Sequence, residues 1–318
     1  MSDPAIGFSL AVFGAVPFAA YILPRKLSRL PVLEYQFWLS CAIAPVAVVV
    51  AIIVNGGIDT RWELALAAFS CGPLWALGSI CYSLAVDNIG VARSTPVKNL
   101  APMWAAIYGV VFFQEYTISD PASLVMALGG VGFMVWAAGV LGKAGAPEKE
   151  RAFAYDMKLD ADARAKAMRL GWIFSWVTAV FYGAYSIPLK YVLRGGMSAY
   201  AACAYLGIGV FVSSLIFYFL RTRRLAPKFP AMREFWLTQM AGGIWVTGQI
   251  TGTVAMVFIP MAISWPVTNI STLLAIGWGV WVFKEVQLEK HKKEVIWSLI
   301  LYTVGLILLA IAAPKGNV

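Results

Sequence analysis

Ten runs of apolar residues alternate along this chain with short stretches where charges, prolines and glycines gather. In the first half they cover about 5–24, 35–54, 65–86, 90–113 and 121–142. In the second half they cover about 171–189, 198–220, 236–257, 260–283 and 295–313. A helix that crosses hydrocarbon needs ~20 mostly apolar residues, because its backbone polar groups have to be satisfied within the segment. The pattern therefore predicts an all-α integral membrane protein of ten transmembrane helices. Asn55-Gly56-Gly57 and Gly195-Gly196 read as tight turns between spans. The stretch Met1–Leu23 carries Asp3 and no basic start, so it reads as a retained first helix rather than a cleaved leader.

Composition sharpens this reading. Apolar residues make up 60% of the chain and charged residues 13%, against roughly 45–50% and about 25% in soluble proteins. A mean hydropathy of +0.75 leaves no polar half to form a separate soluble domain. A cytosolic enzyme, a disordered protein and a disulfide scaffold are excluded. A membrane enzyme would need clustered acids, histidines or metal ligands on its loops, and the chain has one histidine, His291, set among lysines as a surface residue. Cys41, Cys71, Cys81 and Cys203 lie in apolar runs without ligand spacing and read as small buried hydrophobes. No cofactor or metal is expected.

The net charge of +9 is decided by its placement. Twenty of the 25 Lys and Arg residues fall in alternate connections on one side of the predicted membrane. Arg61, Lys190, Arg194 and Lys315 fall on the other side, and Lys98 alone lies deep in a span. The positive-inside rule puts the basic connections in the cytoplasm and both termini outside. The partners expected are membrane lipids and a small-molecule substrate, not nucleic acid, for a monomer or homodimer. Residues 143–170 form the one sizeable polar segment, a charged cytoplasmic linker whose end, Asp160 to Met168, suits a surface helix.

The strongest signal is an internal repeat. Moved by 170 positions, Gly72-x2-Trp75-x2-Gly78, Ser94-x-Pro96-Val97-x-Asn99 and Phe113-x-Glu115 fall on Gly242-x2-Trp245-x2-Gly248, Ser264-x-Pro266-Val267-x-Asn269 and Phe283-x-Glu285. Sixteen of the 44 ungapped positions are identical, and paired Trp, Pro, Asn and Glu are not chance products of hydrophobicity. At a shift of 164, Tyr21-x-Leu23-Pro24-x-Lys26 falls on Tyr185-x-Ile187-Pro188-x-Lys190. Residues 1–142 and 171–318 are thus two five-helix repeats. Five is odd, so the second copy enters the membrane in the opposite sense, the inverted architecture of many secondary transporters, in which one half can rock against the other.

Candidate site residues follow from the repeats. Trp75 shares a helix face with Gly72, Ser79 and Tyr82; Trp245 shares one with Gly242, Gln249 and Thr253. Trp with an amide or hydroxyl suits a polyhydroxylated ligand, whose C–H faces stack on rings; lipid contact is the alternative. Pro96 and Pro266 each break a helical hydrogen bond and mark hinges. Asn99 and Asn269, one turn on, offer donor and acceptor to a ligand or to each other's helices. Lys98 has Thr268 as its counterpart and either snorkels to the interface or meets water and substrate, selecting a polar or anionic end. Glu115 and Glu285 close their spans against the helix dipole and read as gate-end carboxylates awaiting a cationic or hydrogen-bond partner. Tyr21-x-x-Pro24 and Tyr185-x-x-Pro188 are expected to end the first and sixth helices, with Lys26 and Lys190 at lipid headgroups.

Two five-span halves with the Gly-x-x-Trp-x-x-Gly helix, the Ser-x-Pro helix and the terminal Phe-x-Glu resemble the drug/metabolite transporter superfamily. The nearer resemblance is to its sugar-uptake branches, the glucose/ribose porters and L-rhamnose–proton symporters. It is carried by Phe13-Gly14-Ala15 through Pro24-Arg25-Lys26 and by Leu74-Trp75-Ala76-Leu77-Gly78 through Ile89-Gly90-Val91. The second-half Trp245 helix and Phe283-Lys284-Glu285 resemble them too. The resemblance implies a carrier in a prokaryotic inner membrane, often proton-coupled, with substrate held between the halves. No deep acid accompanies it here, so coupling stays open. The expected function is secondary transport of a sugar or sugar derivative by alternating access; the alternative is export or exchange of another metabolite.

Overall fold

A computed structural model of the chain describes residues 3–89, 94, 97, 98, 100–113, 121–144, 161–268, 270, 271, 273, 274, 278 and 288–312. Every regular element among them is a helix: α1 (Pro4–Ala20), α2 (Ile22–Leu27), α3 (Val32–Asn55), α4 (Trp62–Ile89), α5 (Ala101–Phe113) and α6 (Pro121–Ala144), followed by α7 (Ala161–Ala184), α8 (Ser186–Arg194), α9 (Ala199–Thr222), α10 (Met232–Phe258), α11 (Met261–Thr268) and α12 (Leu288–Ala312).

Six segments among the described residues are long and apolar enough to cross a membrane: Pro4–Arg25, Val32–Asn55, Trp62–Ile89, Ala165–Arg194, Ala199–Thr222 and Met232–Phe258. They coincide with the expected first, second, third, sixth, seventh and eighth spans. The other four expected spans fall on α5, α6, α11 and α12, each bordering residues outside the described set. The alanine-rich stretch from Ala161 to Met168 is not a separate surface helix. It continues directly into α7, since nothing between it and the apolar run interrupts helix formation.

Local chemistry sets the ends. Asp3 caps α1 by accepting from the Ala5 N–H at 2.9 Å, with Pro4 in the first turn where its missing N–H costs nothing. Ser198 caps α9 in the same way. Gly56, at φ 71°, ends α3 in the left-handed conformation that glycine adopts freely.

Within the first and sixth spans the helix is broken, at Tyr21 and Tyr185. The cause lies three residues on: Pro24 and Pro188 have no N–H to give to the carbonyls of Ala20 and Ala184.

The packing crosses between the two halves of the chain. α3 lies against α9, α4 against α7 and α9, α1 against α10, α3 against α10, α5 against α11, and α6 against α12. Small residues permit the approach. A Cβ on Gly72 would stand 2.2 Å from the Gly209 carbonyl carbon, so α4 and α9 touch backbone to backbone. Gly242 gives α10 the same freedom against Ala42 and the Leu39 carbonyl of α3.

Each end of the bundle carries a polar tie. At one, Arg61 donates to the carbonyls of Gly195 and Gly196 and pairs with Asp59, Asn55 donates to Ser198, and the Tyr205 hydroxyl donates to the Asp59 carbonyl. At the other, Glu234 accepts from the Ser28 hydroxyl and the Arg29 N–H.

Candidate functional site

A cavity of about 60 Å³ lies where the broken helices meet the centre of the bundle. Its wall is formed by Phe18, Tyr21, Trp75, Lys98, Ala101, Ala105, Tyr182, Tyr185, Trp245, Trp265, Thr268 and Ser271. That is room for only a few waters, below the ~300–1,000 Å³ of open small-molecule sites, while the lining has their usual form, aromatic with a few polar groups.

The wall is built in pairs. At the shift of 164, Phe18 corresponds to Tyr182 and Tyr21 to Tyr185. At the shift of 170, Trp75 corresponds to Trp245, Lys98 to Thr268 and Ala101 to Ser271. The Gly-x-x-Trp-x-x-Gly pattern now has a physical account. The first glycine lets α4 or α10 close on a neighbouring helix. The tryptophan points inward, and the Trp75 and Trp245 ring centroids are 4.3 Å apart. The second glycine seats an aromatic ring of a broken helix. Gly78 receives Tyr182 and Gly248 receives Phe18, at 2.5 and 3.1 Å from an added Cβ. Tyr182 stacks on Trp75 at 6.1 Å and 14°, and Tyr185 stands edge-on to Trp265 at 5.4 Å.

Of the residues singled out in the sequence, Trp75, Trp245 and Lys98 come together in this wall. Gln249 lies behind it, 1% exposed: its oxygen accepts from the Tyr185 hydroxyl at 3.1 Å and its nitrogen donates to Thr253 Oγ1 at 3.1 Å. It holds a wall tyrosine and does not itself line the cavity. Pro266 falls within α11; Pro96, Asn99, Asn269, Glu115 and Glu285 lie outside the described residues.

Two expectations are corrected. Lys190 does not reach headgroups: it is 4% exposed, and its Nζ donates to the Met256 carbonyl at 3.1 Å. Tyr21 and Tyr185 do not merely end their helices, because the chain continues helically beyond each break and leaves the tyrosine at the cavity. The shift that exposed the Tyr-x-x-Pro repeat also pairs Phe18 with Tyr182, so that signal was available for the wall aromatics. Of the cysteines, Cys71 and Cys203 are buried while Cys41 and Cys81 are only half-buried.

Lys98 is the one formally charged group among the described wall residues. Its Nζ lies 5.1 Å from the centre of the Tyr82 ring. Placing an ammonium in mid-helix costs ~2.5–3.5 kcal/mol, and an aromatic face returns ~0.5–2 kcal/mol. The ring alone leaves a deficit. Among the described residues no cluster of three metal-ligating side chains exists.

The family model described as "Sugar transport protein" matches residues 38–312. The chain is 20% identical over 291 residues to "Putative sugar uptake protein lmo0169" of Listeria monocytogenes, covering 91% of this chain and 92% of that one. It is 24% identical over 245 residues to a protein of Enterococcus faecalis named for sugar uptake, covering 77% and 78%. A solved crystal structure shares the fold, with a TM-score of 0.63 over 97% of both chains at 14% identity.

Proposed function

This chain belongs to the sugar transport protein family, and we propose that it carries its sugar by alternating access through two inverted five-helix repeats about the aromatic cavity. The chain is a multi-pass membrane protein and a sugar transporter. The proposal concerns how it works. Its support is the pairing of the wall: equivalent positions of the two repeats, brought from opposite ends of the sequence, face one another around one space. The helix packing has the same property. Exchanging each span for its counterpart turns the α1–α10 contact into the α7–α4 contact and leaves α3–α9, α5–α11 and α6–α12 as they are. Such symmetry suits a carrier whose two end states are mirror versions of each other.

In this reading the broken helices are the moving parts. Tyr21 and Tyr185 sit at points where a helical hydrogen bond is already missing, so bending there disrupts no further bond. The ties at Arg61 and Glu234 stand at opposite ends, each able to close one entrance. The indole and phenol faces stack on the C–H faces of a sugar, and the hydroxyls of Tyr21, Tyr182, Tyr185, Thr268 and Ser271 exchange hydrogen bonds with its hydroxyls. Asn99 and Asn269, next in sequence to Lys98 and Thr268, join that set. Pro96 and Pro266 are hinges, and Glu115 and Glu285 gate ends.

The membrane is the plasma membrane of a prokaryote with both termini outside, in keeping with the bacterial relatives and the charge distribution. Membership of the drug/metabolite transporter superfamily follows the same repeat. The test is uptake and counterflow of labelled hexoses, pentoses and 6-deoxyhexoses in proteoliposomes, at several pH gradients. Saturable flux lost in Trp75→Ala and Trp245→Ala supports the site. Flux unchanged in both variants refutes it, and flux only outward supports the exporter alternative.

A further inference from the structure

The cavity departs from its own symmetry at one place that matters electrostatically. Phe18 and Tyr182, Tyr21 and Tyr185, and Trp75 and Trp245 are like with like, whereas the counterpart of Lys98 is a hydroxyl, Thr268, and Ser271 stands where the first repeat has Ala101. Among the described residues the wall therefore carries one cation, and its other polar groups are neutral. The described wall contains no carboxylate, and Lys98 forms no ion pair among the described residues; its one described contact is with the Tyr82 ring.

Resting on the reading of this cavity as the sugar site, we infer that the substrate class is a monoanionic sugar acid, a uronate- or aldonate-type carboxylate, held by an ion pair between its carboxylate and Lys98.

Three physical points select that class. A neutral sugar entering the cavity displaces water from an ammonium and offers no charge in return, and a desolvated cation without a partner is unfavourable. A carboxylate balances it one to one. A sugar phosphate, with a charge of roughly −1.5 to −2 at neutral pH, would leave excess negative charge between aromatic walls. Lys98 is also the one charged station for a carboxylate among the described wall residues, because the rest of the wall is ring faces, which carry negative electrostatic potential, and neutral hydroxyls. The ligand is thereby oriented, with its acid end at Lys98 and its hydroxyls at the neutral polar groups of the wall.

The experiment uses the purified full chain in lipid. Apparent dissociation constants from ligand-induced thermal stabilisation are measured for D-glucose, D-galactose, L-rhamnose and D-xylose, for D-glucuronate, D-galacturonate and D-gluconate, and for glucose 6-phosphate. The expected result is at least one acid bound roughly ten- to hundredfold more tightly than its parent sugar. That ratio should collapse to about one in Lys98→Met and persist in Lys98→Arg. Parent sugars that bind as well as their acids, or a ratio unchanged in Lys98→Met, overturn the inference while leaving the sugar reading intact. A preference for glucose 6-phosphate overturns the carboxylate assignment. No response to any of the three classes overturns the sugar reading and this inference with it. The wild-type comparison stands whether or not Lys98→Met folds.

Discussion

The ammonium of Lys190 donates to the carbonyl of Met256, the group that Pro260 leaves without a helical donor. An N–H at position 260 would close a helical turn onto that oxygen; proline has none, and α10 stops at Phe258. A buried carbonyl in hydrocarbon surroundings needs a partner, and a lysine from the other side of a proline-broken helix supplies it. The contact joins α8 to the end of α10 and so ties two elements that flank the cavity.

Lys190→Met should remove this bond while keeping the length of the side chain. A buried acceptor left unsatisfied costs about 1–3 kcal/mol. The expected outcome is a fall in thermal unfolding temperature of a few degrees in detergent or lipid. A Lys190→Met protein as stable as the parent would show that the contact contributes nothing.

Adjacent glycines in α10 should respond in opposite directions. An added Cβ at Gly242 meets the Ala42 Cβ at 2.5 Å and the Leu39 carbonyl at 3.0 Å, whereas at Gly243 nothing lies within 4 Å. Gly242→Ala should destabilise by about 1–3 kcal/mol, the usual cost of overpacking. Gly243→Ala should be neutral or stabilising by up to ~1 kcal/mol. Denaturation of the two variants side by side checks this, since both make the same chemical change on one helix.

Trp75 and Trp245 should act as one unit in transport. Their rings touch, so removing either exposes the other to the same empty space. Each alanine variant should lower sugar transport efficiency by tenfold or more, about 1.4 kcal/mol. The double variant should lose less than the sum, with a coupling of ~0.5–3 kcal/mol. Strict additivity in the cycle would mean that the two rings work separately.

The tie at Arg61 carries a pH signature. The side-chain hydrogen bond from Arg61 holds the Asp59 carboxyl below the usual carboxylate range. A carboxylate whose folded pKa is depressed contributes stability above its unfolded pKa and loses it as pH falls through the folded one. Arg61→Gln should therefore be less stable than the parent at neutral pH, with the gap narrowing only in acid, below the ordinary Asp range. Both groups are near the surface, so the gap is small. Unfolding temperatures of the two proteins across that pH range decide it; a gap independent of pH would remove Asp59 from the account.

The apolar runs were enough to place the six long spans of the described residues in order, because a spanning helix is a property of ~20 contiguous residues and needs no tertiary partner. The two tryptophans were legible for a related reason. The same pattern occurs twice, and the repeated Gly-x-x-Trp-x-x-Gly marks positions where helices and rings approach closely. The distant partners were not legible. Gln36, joining Ser79 to Ser214, and Gln249, holding Tyr185, each sit in apolar runs whose pattern reveals no polar contact.

By itself the sequence determined that this chain lives in a membrane, that one long stretch of it resembles another, and that a pair of tryptophans and a lysine lie within its apolar runs. These follow from local hydrophobicity and from self-comparison. Only the tertiary structure decided which of them share a space. It brought Phe18, Tyr21, Tyr182 and Tyr185 to the cavity by breaking their helices at that level, set Gln249 behind the wall, and buried Lys190 against a carbonyl. The physical reason is that charge and polarity along a chain record what a residue is, while burial and partnership depend on helices that approach from hundreds of positions away.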